Sequence, residues 1–166
     1  MLGPHAPYTC SPDFIEEIVE KAVEYDMGIH IHLAETKDEV EKIKELYGKS
    51  PVELMRDLGL FSRPVLAAHC VYLEPHEMDI LSRSKVKIAH NPESNMKLAS
   101  GIAPIPELLQ KGITIALGTD GPASNNNLDI FGEIRTAALL HKVARCEPTA
   151  INAYQALSMA TREGAK

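Results

Sequence analysis

Two kinds of segment alternate along the chain. Short, apolar, β-rich runs occur at Gly28–Leu33, Pro64–His69, Val86–His90 and Ile113–Gly118. Each has the length and composition of a strand buried on both faces. Between them lie longer stretches with helical spacing. Ser11-Pro12 supplies an N-cap and a first-turn proline, and Phe14, Ile15, Ile18, Val19 and Ala22 then fall on one face. Thr36-Lys37-Asp38-Glu39 and Ser50-Pro51-Val52-Glu53 are capping-box patterns that open helices running to about Leu46 and Leu58. Further helices are expected at Glu77–Ser84, Ile105–Lys111, Leu128–Val143 and Pro148–Thr161.

Strands alternating with helices imply right-handed crossovers and a parallel sheet. The fold class is α/β. Four strands of this kind form either a small open sheet or half of a (β/α)₈ barrel, which typically needs about 250 residues. At 166 residues the chain has the length of one domain.

Composition narrows the partners. Seventeen Lys and Arg against 23 Asp and Glu give a formal charge of −6, which disfavours nucleic acid and anionic membrane surfaces. No apolar run approaches a membrane span, and the N-terminal residues lack a signal-peptide pattern. The three cysteines (Cys10, Cys70, Cys146) are far apart, so a disulfide framework is not expected and a reducing cytoplasm fits.

The strand ends carry the chemistry. His32, followed by Glu35, closes the first; His69 closes the second; His90-Asn91 closes the third; Asp120 follows the fourth; and His5 precedes the first helix. In a parallel sheet these ends share one mouth. Imidazoles and a carboxylate gathered there suit metal-assisted hydrolysis, in which a cation activates water and a nearby carboxylic acid moves the proton. Zinc, iron and manganese all accept such donors. Taken singly, each residue has a plainer reading. His30 is a core histidine one layer below His32, because alternate side chains share a face. His76 and His141 fall in helical stretches and are expected to be solvated. Glu35 alone is a helix-start acid, Asp120 a turn residue, and Asn125-Asn126-Asn127 a polar loop.

The segments GPHAPYTCS, HIHLAET, AAHCVYL, HNPESNMKLASGIAPI and LGTDGPASNNNLDIF, in this order, resemble the amidohydrolase superfamily. Within it they are most similar to the 5-methylthioadenosine/S-adenosylhomocysteine deaminases and their chlorohydrolase and guanine or cytosine deaminase relatives. The resemblance implies a barrel of which residues 1–166 form one partial domain, strands five to eight with their helices. It implies a single divalent metal, zinc first, held in part by His32 and Asp120. It makes Glu35, His69 and Asp120 catalytic, and gives His5, Glu35 and Ser124 contacts to a purine nucleoside. His90 and Asn91 fall to scaffold near the site. The superfamily's H-x-H pair of the first strand has no counterpart here, since His30-Ile31-His32 aligns with the fifth. A C-terminal half-barrel inactive alone, completed by self-association or by an N-terminal half, is therefore expected. A non-catalytic α/β binding module and a subunit of a split enzyme are the competing readings.

Overall fold

The computed structural model describes residues 1–166. Four parallel strands, β1 (Ile29–Leu33), β2 (Val65–His69), β3 (Lys87–His90) and β4 (Ile115–Leu117), pair in chain order β1-β2-β3-β4. Registers run Ile31↔Ala67, Ala67↔Ile88 and Ile88↔Ile115. Such in-order parallel pairing, with helical crossovers, is that of four consecutive staves of a (β/α)₈ barrel. At the β1 edge the first residues run parallel to the strand: Leu2 bridges Ile29, and His30 N donates to Leu2 O at 2.8 Å.

The helices are α1 (Pro12–Glu24), α2 (Lys37–Tyr47), α3 (Pro51–Asp57), α4 (Pro75–Arg83), α5 (Pro92–Lys97), α6 (Ile105–Gln110), α7 (Pro122–Asn125), α8 (Ile130–Arg145) and α9 (Ala153–Ala160). The expected caps form. Ser11 accepts from Phe14 N, Thr36 from Glu39 N, and Ser50 with Glu53 closes a full capping box. The four parallel strands with helical crossovers expected from sequence are the ones observed. Two short helices, α5 and α7, were not expected; each starts on a proline just past a strand end, within a stretch too short for helical periodicity. The last helix is shorter than Pro148–Thr161, because Asn152 caps it at Ala153.

The two faces of the sheet differ. Ile29, Ile31, Leu33, Ile88 and Ile115 are fully buried, part of one continuous core with Ile15, Ile43, Leu60 and Leu108. The alternate positions His30, His32, Leu66, Lys87 and Ala89 are only partly buried. These line the inner face. Part of it is a concavity of about 620 Å³ between Gly28, Val65, Lys87 and Ala116, lined by none of the clustered histidines. On α1, Phe14 is exposed rather than on the buried stripe, which is carried by Ile15 and Ala22. No helix is long and apolar enough to cross a membrane.

Two expectations for histidines change. His141 is fully buried, not solvated: its Nε2 lies 3.1 Å from Nε2 of His90. His90 therefore turns into the helix layer instead of joining the mouth, as the alternation of β3 requires with Ile88 on the same side. His76 is exposed as expected, beside Glu53. His30 is half-buried on the inner face rather than in the core, and its Nδ1 has no hydrogen-bond partner.

Buried groups pull the pH dependence of stability in opposite directions. Burial, helped by the Arg145 charge, lowers His141 to about 4, and burial with His141 and His69 holds His90 well below the ordinary range. The unfolded chain protonates these rings below about pH 6.5 and the folded chain does not, so stability falls as pH drops from there. Burial raises Glu133 to about 7, against the hydrogen bonds it accepts from Glu93 N and Asn125. Its folded form gains a proton first, so stability rises as pH falls from 7 toward about 4.5. At pH 5 the buried histidines and Glu133 therefore act on stability with opposite sign. Glu133→Gln removes the offset. Its urea midpoint is expected to fall more steeply between pH 7 and 5 than the parent's; equal slopes would contradict the assignment.

Candidate metal and proton-transfer site

The site is built at the C-terminal ends of the strands. Four residues there have left-handed backbone: Ala34 (φ 51°), His69 (72°), Cys70 (51°) and Asp120 (61°). Non-glycine residues adopt this region at a cost, and such strain gathers where the fold must aim a side chain. Each of these breaks strand alternation just where a functional group leaves the sheet.

His32, His69 and Asp120 each bring one ligand atom into a group whose members all lie within 4.8 Å of one another. His69 Nε2 stands 4.0 Å from Asp120 Oδ2 and 3.8 Å from Glu35 Oε2. The His32 and His69 rings stack with centroids 5.4 Å apart, and the His5 ring lies 5.0 Å from His32. His5, His32, Glu35, His69 and Asp120 thus converge as the sequence predicts; His90 does not.

The surrounding polar groups orient each donor. His32 Nδ1 donates to His5 O at 2.7 Å, which leaves Nε2 for the site. His69 Nδ1 is 2.8 Å from Asn95 Oδ1, so its Nε2 also faces inward. Asp120 accepts from Ser94 Oγ and Ser124 Oγ, both at 2.7 Å, and from Gly121 N at 2.8 Å. Burial opposes the Asp120 charge, but these bonds and the His69 ring outweigh it and hold the carboxyl below its ordinary range. Ligand-bearing histidines and carboxylates tied through their second atoms are the hallmark of a built metal site. Two imidazoles and an ionised carboxylate fit a divalent cation. The thiol of Cys70, close by, is excluded as a nucleophile because burial pushes its pKa up.

Ser124 sits in the site, but its hydroxyl is on Asp120. His5 is exposed at the rim, with Nδ1 against Thr9 Oγ1 at 2.7 Å. Sequence reasoning missed Ser94 and Asn95. The signal was present in Asn91-Pro92, a helix start directly at a strand end, which lays the first turn of α5 over the mouth. The close approach there depends on Gly118: a Cβ at that position would meet Asn91 Oδ1 at 2.5 Å.

Comparison with known proteins shows the family. The model of the "Amidohydrolase family" matches residues 1–166. This chain belongs to the amidohydrolase family. It is 57% identical over 164 residues to a 5-methylthioadenosine/S-adenosylhomocysteine deaminase of Dictyoglomus thermophilum, covering 99% of this chain and 38% of that protein. An adenosine deaminase from Xanthomonas campestris with bound zinc superposes with a TM-score of 0.94 at 41% identity, over 98% of this chain and 37% of that one. Atrazine chlorohydrolase from Arthrobacter aurescens complexed with zinc superposes at 0.92 with 34% identity, over 99% and 36%. The chain spans a little over a third of the length of these amidohydrolases.

Proposed function

We propose that this amidohydrolase chain supplies the second half of the active site of a hydrolytic deaminase. Its substrate is an adenosine-type nucleoside, 5-methylthioadenosine or S-adenosylhomocysteine. The observation that carries the reading is the convergence of Glu35, His69 and Asp120 within 4.0 Å contacts beside His32. The 57% identity over nearly the whole chain favours the nucleoside deaminases over the chlorohydrolases, at 34%.

His32 and Asp120 would hold a divalent metal, zinc before iron or manganese, with His69 within reach of it. When bound, the metal supplies an activated water near neutral pH. With His69 counted the chain offers three candidate ligands, the least that a mononuclear hydrolytic site takes. The relatives are more than twice its length, and any further ligands would come from the rest of such a barrel. The half-open inner face is the surface that such a complement covers. Asp120, ionised and held by three donors, takes the first proton of the attacking water. Glu35 delivers a proton to the ring nitrogen next to the reacting carbon. His69 polarises the reacting centre, while His5 and Ser124 border the base. A carbon–oxygen bond forms and the carbon–nitrogen bond of the amino group breaks. Of the two protons of water, one ends on the ring nitrogen and one on the departing ammonia. The three unpaired cysteines support a cytoplasmic setting.

The test is to produce the chain within a complete barrel, load it with zinc and follow ammonia release from 5-methylthioadenosine. Stoichiometric release with one metal per site is the expected result. A metal-loaded protein that leaves this nucleoside untouched but frees chloride from a chlorotriazine would replace the deaminase reading with halide displacement.

A further inference from the structure

Two buried residues outside the reacting set grip Glu35 from opposite ends. Glu39, in the first turn of α2, is 3% exposed, yet its carboxylate faces backbone rather than a cation. Its Oε1 accepts from Ala34 N at 2.9 Å and its Oε2 from Glu35 N at 2.8 Å. Ala34 is the left-handed residue that turns the chain out of β1, and its carbonyl accepts from both Val71 N and Tyr72 N at 3.0 Å. The turn is therefore tied to the exit of β2 on one side and to Glu39 on the other. At the far end Ser100, 4% exposed, donates from Oγ to Glu35 Oε1 at 3.2 Å. Ser100 is itself fixed by its amide on Asn95 O at 2.9 Å. Gly101 follows with φ 128°, so close to Val71 that a Cβ would meet Cγ1 at 2.8 Å.

We propose that Glu39 and Ser100 are positioning residues for proton transfer, Glu39 fixing the backbone of Glu35 and Ser100 engaging one carboxylate oxygen so that the other faces the reacting centre. The inference rests on the reading of Glu35 as the proton carrier. A carboxylate at position 39 is costly to bury: desolvation pushes its pKa up despite the amides it accepts. A simple helix-start acid at the surface would avoid that cost. The carboxylate offers what no uncharged side chain does there, two acceptors for two adjacent amides, one of them on a strained residue. Ser100 leaves Glu35 Oε2 as the oxygen 3.8 Å from His69 Nε2. The two carboxylate oxygens are thereby made unequal, and only Oε2 is free for the substrate.

The experiment uses the zinc-loaded protein containing the complete barrel, with 5-methylthioadenosine as substrate and Glu35→Gln as the reference. Glu39→Gln leaves one acceptor and turns an amide NH₂ on a backbone N–H. It is expected to lower kcat by about 100-fold, the scale of a 1 Å misplacement, with KM within twofold and metal content unchanged. Ser100→Ala is expected to lower kcat about tenfold, and Ser100→Thr, which keeps the hydroxyl, to restore most of it. Hydrogen exchange of the segment spanning Ala34 and Glu35 speeds up in Glu39→Gln and not in Ser100→Ala. Unchanged kcat in both variants overturns the inference. So does a joint fall in kcat, metal content and substrate affinity, which marks collapse of the whole site. If Glu35→Gln itself keeps full turnover, the reading of Glu35 as proton carrier fails first, and the positioning role falls with it.

Discussion

On the proposed deaminase reading, Glu35→Gln is expected to lower turnover by about 10²–10⁴-fold in the zinc-loaded protein and to leave the metal in place. The magnitude is that of a positioned acid–base group. The selectivity follows from where Glu35 stands. It lies outside the donor group of His32, His69 and Asp120, so its loss removes no ligand. Glutamine matches the carboxylate in shape and still accepts from Ser100 Oγ, so the turn after β1 has no reason to move. What glutamine lacks is an exchangeable acid proton beside His69. Metal analysis alongside steady-state kinetics checks both halves of the statement. Full turnover with Gln at this position would assign the ring-nitrogen proton to another group, and loss of metal would place Glu35 in the ligand shell.

The half-barrel and most of its site were legible in the chain because both rest on local rules. Four apolar runs with helical stretches between them dictate parallel strands, and parallel strands put every C-terminal end at one mouth. His32, His69 and Asp120 meet there for that reason alone. The misreadings share a different cause. His141 lies in a helix of ordinary amphipathicity, and nothing local shows that His90 will rotate away from the mouth to meet its ring at 3.1 Å. Alternation along β3 settles which way His90 points only once Ile88 is known to face the helices. Ser94, Asn95 and Ser100 contact partners 26, 26 and 65 residues distant. Such pairs depend on tertiary placement of α5 and the turn that follows it, and α5 has only six residues, a length that hides its periodicity. Glu39 reads as a helix-start acid, which it is; that its carboxylate turns back onto Ala34 and Glu35 is set by the left-handed turn of Ala34.

His32→Ala is expected to cost the metal rather than the fold. The fold is secured by its neighbours: Ile31 and Leu33 are fully buried against the helices, whereas His32 lies on the half-open inner face. Water can enter where the ring was, so no sealed cavity opens beneath it and the stability loss stays well below that of an Ile31 truncation, about 2–5 kcal/mol. A metal held by His32, as proposed, has no such reserve. Disturbing a residue that merely orients a ligand costs about 10–100-fold in affinity, and the ligand itself contributes more. Its Nε2 is aimed by the bond from Nδ1 to His5 O, and no other side chain on β1 can replace it, since His30 on the same face lies a layer below. After gel filtration the variant should retain less than about a tenth of the parent's metal, on that scale, and its turnover should return only with excess zinc. His30→Ala supplies the contrast, because it thins the same face without touching the donor group and should keep its metal. If His30→Ala lost metal as fully as His32→Ala, the assignment of the ligand to position 32 would fail and the pair would have to be read as a joint support for the inner face.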